Sequence, residues 1–94
     1  MKRLRWTPDA AADLERIRQY LDEHSPLYAQ RTVLELYEKI RSLKTFSNLG
    51  RVGREANTRE LVVSSLPYIV VYRVNEHAIE LLHIHPTAHD WPSR

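Results

Sequence analysis

The apolar periodicity of this 94-residue chain changes once, and it changes at the only two glycines present, Gly50 and Gly53. Before them the spacing is that of a helix. Thr7 suits an N-cap, Pro8 the first helical position, and Asp9 and Asp13 the positive end of the helix dipole. Ala10, Leu14, Ile17 and Leu21 then recur at four-three-four spacing on one face. Ser25-Pro26 repeats the start signal, Ala29, Val33, Leu36, Ile40 and Leu43 mark a second stripe, and Asn48-Leu49-Gly50 reads as a stop. Two helices joined by the short link Glu23-His24-Ser25 pack as a hairpin.

After the glycines the period becomes two. Arg59 to Val63, Leu66 to Val74 and Ala78 to His85 read as strands rich in Val, Ile, Leu and Tyr. Asn75-Glu76-His77 is short enough to join the last two as a hairpin. Residues Arg3 to Trp6 offer one more strand ahead of the first helix. The expected class is α+β: an N-terminal strand and a two-helix hairpin packed on a small three- to four-stranded, mainly antiparallel sheet. Strict alternation puts Tyr68, Val70, Tyr72 and Val74 on one face and Ile69, Val71 and Arg73 on the other. In the last strand it puts Ile79, Leu81, His83 and His85 together, opposite Glu80, Leu82 and Ile84. Both faces are apolar, yet a hairpin covers one. The remainder is closed by the tail, where Trp91 is available, or left as a patch for a partner.

Size and charge narrow the function. A chain of this length has room for one hydrophobic core, so residues 1–94 are read as a single domain. With 28% charged and 43% apolar residues the composition is that of a foldable soluble chain. The formal net charge is only +2, modest for a domain whose main partner is nucleic acid. Residues 9–46 carry six basic and seven acidic side chains, so the positive excess lies outside the helices. There is no cysteine for a disulfide, a thiolate nucleophile or a metal. No apolar run approaches the roughly 20 residues of a membrane span, and the basic start Met1 to Trp6 leads into no signal-peptide core. A cytoplasmic location is expected.

Three groups of residues bear chemistry. Arg51, Arg54, Arg59 and Arg73 offer forked, permanent cations suited to phosphate or carboxylate. Arg51 and Arg54 read as surface partners of Glu55, Glu60 and Glu76; Arg59 and Arg73, brought close by antiparallel pairing, stand equally as ion pairs or as a binding site. His83 and His85, two apart on a strand, and His89 beyond them could trade protons. Their spacing is too sparse for a structural zinc site, and neither a metal nor a cofactor is expected. Ser64 and Ser65 lack a nucleophile elbow, and Gly50-Arg51-Val52-Gly53 follows a helix instead of opening one, so it cradles no phosphate. Trp91, in Asp90-Trp91-Pro92, reads as a lid over the core or as a contact for a macromolecule.

The order of helix hairpin, Gly-Arg stretch, Arg59-Glu60-Leu61, Leu66-Pro67-Tyr68-Ile69-Val70-Val71-Tyr72-Arg73-Val74, Ile79-Glu80-Leu81-Leu82-His83-Ile84 and a closing Asp90-Trp91-Pro92 resembles the RelE/ParE toxin superfamily across nearly the whole chain. The resemblance implies the toxin of a type II toxin–antitoxin pair, held in a hetero-oligomer by a co-encoded ParD- or RelB-like antitoxin. Such antitoxins lay an extended, helical C-terminal segment over the toxin, for which Leu21, Leu27, Tyr37, Tyr68 and Tyr72 are the candidate contacts.

The superfamily divides by target. RelE-like members cut mRNA in the ribosome, whereas ParE-like members are associated with poisoning DNA gyrase. The ribosome-dependent cutters tend to carry an arginine directly after the tyrosine that opens the third strand, where this chain has Ile69. They also tend to place basic residues after the last strand and a tyrosine in the tail. Here Pro86, Thr87 and Ala88 follow the strand, Pro86 stands where many relatives have histidine, and no tyrosine lies beyond Tyr72. The departures point to the ParE-like branch, with Arg59, Arg73, His89 and Trp91 as candidate target contacts. A ribonuclease, the alternative, would draw on Arg59, Arg73, His83, His85 and His89.

Overall fold

The computed structural model describes residues 1–63 and 67–87. Strand β1 (Arg3–Trp6) leads into helix α1 (Pro8–His24), helix α2 (Pro26–Ser42) and strands β2 (Arg51–Val52), β3 (Arg59–Val63), β4 (Tyr68–Val74) and β5 (Ala78–Pro86). The sheet order is β1-β5-β4-β3-β2, with β1 parallel to β5 and the other neighbours antiparallel. The α+β class and the helical hairpin are as expected, but the sheet has five strands. The strand missing from the sequence reading is β2, two residues pinned between the glycines: Arg51 opposes Glu60 and Val52 opposes Arg59. So short a segment carries no period of its own.

Both helices begin where the chain chemistry says. The Thr7 hydroxyl accepts the amide of Ala10 at 3.2 Å and donates to the carbonyl of Leu81 at 2.6 Å, so one side chain caps α1 and ties it to β5. A single residue, Ser25, separates the helices; its amide closes α1 on the Leu21 carbonyl and Pro26 starts α2. Helix α2 ends at Ser42, ahead of the Asn48-Leu49-Gly50 stop, and Leu43 to Phe46 turn over on carbonyls three and four residues back. Leu43 is nonetheless fully buried.

The helices cover one face of the sheet. Leu61, Val63, Val70, Tyr72, Ile79, Leu81 and Ile84 meet Ala10, Ile17, Leu36 and Ile40 there in one core. Tyr72 lies wholly inside it; its hydroxyl accepts the Gly50 amide and donates to the Ser47 carbonyl, both at 2.8 Å, so the chain after α2 is pinned to the middle of the sheet. Burial pushes the Tyr72 phenol above its ordinary value.

One irregularity changes which side chains share a face. Val71 opposes His83 but Tyr72 opposes Leu81, which leaves Leu82 as an extra residue on β5. Beyond this bulge the alternation inverts. Ile84 joins Ile79 and Leu81 against the helices, and His83 and His85 pass to the open face, beside Val71 and Ile69. The strict alternation, which kept the histidines with Ile79 and Leu81, is corrected on this point.

Candidate functional site

Away from the helices, the open face carries charge in paired layers. From β1, Arg5 forms an ion pair with Glu80 of β5, and Arg73 of β4 approaches the same carboxylate from the other side at 3.7 Å. Across the sheet, Arg51 of β2 holds Glu60 of β3 at 3.0 Å, and the Arg54 amide donates to the other oxygen of that carboxylate at 3.3 Å. The chain from Gly53 to Thr58 bends back over this end of the face, closed by the Gly53 amide on the Thr58 carbonyl at 2.8 Å and turned at Asn57, whose φ of 63° lies in the left-handed region that Asn tolerates. Arg54, Glu55 and Thr58 thus meet Glu60, Val71, Leu82 and His83 around a small hollow.

A second cluster sits where β1 stops and leaves the edge of β5 open. Asp13, on α1 and 7% exposed at its side chain, accepts the Ile84 amide at 2.9 Å, faces His83 Nδ1 at 3.2 Å and pairs with Arg16. One helix carboxylate therefore satisfies a strand-edge donor and orients an imidazole. His83 stacks on His85 with ring centroids 5.1 Å apart. Burial, reinforced by the charge that His83 can carry, lowers the pKa of His85. Next to the pair, Ile17, Tyr20, Pro67, Tyr68 and Pro86 line a groove of about 530 Å³ between α1 and the end of the sheet. Among the described residues no cluster of three or more His, Cys, Asp or Glu side chains could hold a metal ion. No described helix is long and apolar enough to cross a membrane.

The sequence-derived arginines separate. Arg73 is on the open face, but Arg59 stands level with Tyr72 on the helix side, where its guanidinium donates to the Gly50 carbonyl at 2.7 Å. Strand pairing brings their backbones close and the pleat turns their side chains apart. Arg51 meets Glu60 as expected, though that carboxylate is buried, and Arg73 takes Glu80 instead of a glutamate named from the sequence. His89, Trp91, Ser64 and Ser65 lie outside the described residues. Of the antitoxin candidates, Leu27 is 91% exposed; Tyr37 is exposed and packs its ring at 5.7 Å from Trp6; Leu21 is half-buried; and Tyr68 and Tyr72 are core, Tyr72 with no surface to offer. Arg5, Asp13 and Glu80 were missed as site residues. Asp13 reads locally as a helix-dipole acid, and its partner is 70 residues away.

Comparison with known proteins fits this geometry. The sequence model of the ParE toxin of the type II toxin–antitoxin system parDE matches residues 4–91. Toxin RelE2 of Caulobacter vibrioides is 39% identical over 88 residues, 94% of this chain and 98% of its own. Y4kP of Sinorhizobium fredii is 35% identical over 91 residues, 97% of this chain and 94% of its own. Among solved structures, a chain of the chromosomal ParDE toxin–antitoxin system from P. aeruginosa superposes with a TM-score of 0.83 at 29% identity, covering 92% of this chain and 96% of that one. The small helical hairpin on a five-stranded mixed sheet is thus the fold of a ParE-like toxin. The chain belongs to the ParE toxin family: it is the toxin of a type II toxin–antitoxin system, with an antitoxin for its partner.

Proposed function

We propose that this toxin acts in the ParE manner, inhibiting DNA gyrase by protein contact and cutting no RNA. The observation that carries the reading is that the cations cleavage would need do not converge with the imidazoles. Attack by a ribose 2′-OH calls for a base, an acid and cations converging on one phosphate. Here Arg59 is on the far face bound to a carbonyl, Arg73 is turned toward Glu80, and His83 is turned toward Asp13. Purified toxin should block supercoiling or accumulate gyrase–DNA cleavage complexes; normal supercoiling at saturating toxin would end the proposal. The antitoxin reading rests on the exposed apolar side chains of the helical hairpin, Leu27, Tyr28, Leu34 and Tyr37. Leu27→Asp should weaken the antitoxin complex while leaving gyrase inhibition unchanged.

A second reading has its own support. An Asp13-oriented His83 stacked on His85 is an acid–base pair held in place, as a ribosome-dependent endoribonuclease would require. Primer extension on translated mRNA during growth arrest separates the two: defined breaks that vanish in His83→Gln favour the nuclease, and intact transcripts favour gyrase.

A further inference from the structure

The formal charge of +2 conceals a segregation. On the open face the two carboxylates of the strands lie underneath and the guanidiniums on top: Glu60 and Glu80 are 4% and 14% exposed, against 57% for Arg51, 67% for Arg5 and 41% for Arg73. Arg3, also exposed, stands on the same face of β1, since its partner Ala78 is in phase with Glu80. Among the described residues, the acids at the surface on this side are Glu55, in the loop after β2, and Glu76, at the β4–β5 turn. Helix α1, in the other layer, holds Asp9, Asp13, Glu15, Asp22 and Glu23 against Arg16 and Arg18. Guanidiniums and carboxylates balance in number on the described sheet side, so a polyanion meets it through the exposed guanidiniums that overlie Glu60 and Glu80, whereas α1 presents acids in excess.

We infer that the open face docks the phosphate backbone of duplex DNA, which, on the gyrase reading above, is the segment that gyrase holds. Arg5, Arg73 and Arg51 stand on strands at one edge, the centre and the other edge of the sheet, a span of four inter-strand spacings or about 19 Å. That is wide enough to reach phosphates on both sides of a major groove about 12 Å across. Arg5 and Arg51 each give part of the five-donor fork to a sunken carboxylate, and Arg73 lies 3.7 Å from Glu80 without a hydrogen bond to it. All three guanidiniums stay exposed, with donors left over that suit phosphate. The described part of the face has no Phe, Tyr or Trp; those of the strands, Trp6, Tyr68 and Tyr72, all point to the helix side. Single-stranded nucleic acid is held largely by stacking on such rings, and a surface of cations without them fits a duplex backbone instead.

Fluorescence anisotropy with a short labelled duplex of arbitrary sequence tests this. With three phosphate contacts, raising salt from about 50 to about 200 mM should weaken binding about forty-fold. In Arg5→Ala/Arg73→Ala the same change should cost about three- to four-fold, and low-salt affinity should fall. Arg5→Lys/Arg73→Lys keeps the charge over Glu80 and should restore most of the affinity, which separates lost docking from lost folding. Arg31→Ala/Lys39→Ala removes the same charge from the helix layer and should change nothing. Equal loss in that helix pair, no loss in the sheet pair, or tighter binding to single-stranded RNA than to duplex overturns the inference. Gyrase assays on the same proteins keep the two readings apart: duplex binding without gyrase inhibition sinks the gyrase reading alone, and undiminished inhibition by the alanine pair sinks the docking face alone.

Discussion

On the helix side of the sheet the positions from Leu61 to Ile84 that face inward are filled by apolar side chains and two tyrosines, whereas the open side mixes Val62, Ile69 and Val71 with arginines, one buried and one half-buried carboxylate and two histidines. The same strands, with the same β-forming residues, serve both. What differs is who covers them. Two helices exclude water from the first face, so its energetics are those of packing; the second is covered in the described structure only at the Gly53–Thr58 end, so it keeps charge that a packed core could not hold. Apolar packing is concentrated on one face and charge on the other.

Truncation should expose that asymmetry most strongly. Leu36 and Ile40 are fully buried under the sheet, and Leu36→Ala or Ile40→Ala should cost about 2–5 kcal/mol in denaturant unfolding. Val62, on β3 but 44% exposed on the open side, should lose no more than about 0.5 kcal/mol in Val62→Ala. A loss at Val62 to rival Leu36 would mean that the open face is itself a core, and the contrast between the faces would collapse.

Besides the Thr7 cap, polar links tie the sheet to the loop after α2 and to α1, and each should cost about 1–3 kcal/mol when cut. Tyr72→Phe leaves the Gly50 amide and the Ser47 carbonyl without their partner in the core. Gly50→Ala attacks the same junction by volume, since a Cβ there would come within 2.9 Å of the Glu60 carbonyl carbon and oxygen. Asp13→Ala frees the Ile84 amide at an edge of β5 that β1 does not reach. If Asp13→Ala unfolds at the wild-type denaturant midpoint, the Thr7 tie and the apolar contacts alone hold α1 to the sheet.

The sequence reveals the parts of this design whose causes are local. Caps, prolines and four-three-four spacing place both helix starts, though α2 ends at Ser42, ahead of the stop read at Asn48-Leu49-Gly50, and alternation places β3, β4 and β5 within two residues. Two features escape because their causes are not local. Strand β2 exists only by its pairing with Arg59 and Glu60, and the bulge at Leu82 is a property of the β4–β5 register that no side-chain pattern in β5 announces. That one residue moves His83 and His85 to the other face and so decides which site they can join. Arg59 and Arg73 illustrate the same limit: adjacency in a sheet is predictable, yet opposite parity sends their guanidiniums to different surfaces.

The smallest expected effect concerns acid. His85 sits with Asp13, Arg16, Glu60 and His83 around it, and burial first, then the charge of His83, holds its pKa below the ordinary imidazole value. The folded protein therefore binds this proton less readily than the unfolded chain. Its contribution is intact above the unfolded value of about 6.5, and is lost as pH falls through the folded value. His85→Gln should flatten that acid limb of the stability curve, measured by urea unfolding from neutral pH downward, with little change at neutral pH itself. Histidine and glutamine curves that stay parallel throughout would mean that His85 is hydrated alike in the folded and unfolded chains. The open face would then be wet right up to the edge of α1, and the line between the two faces would fall at the helix rather than at the sheet.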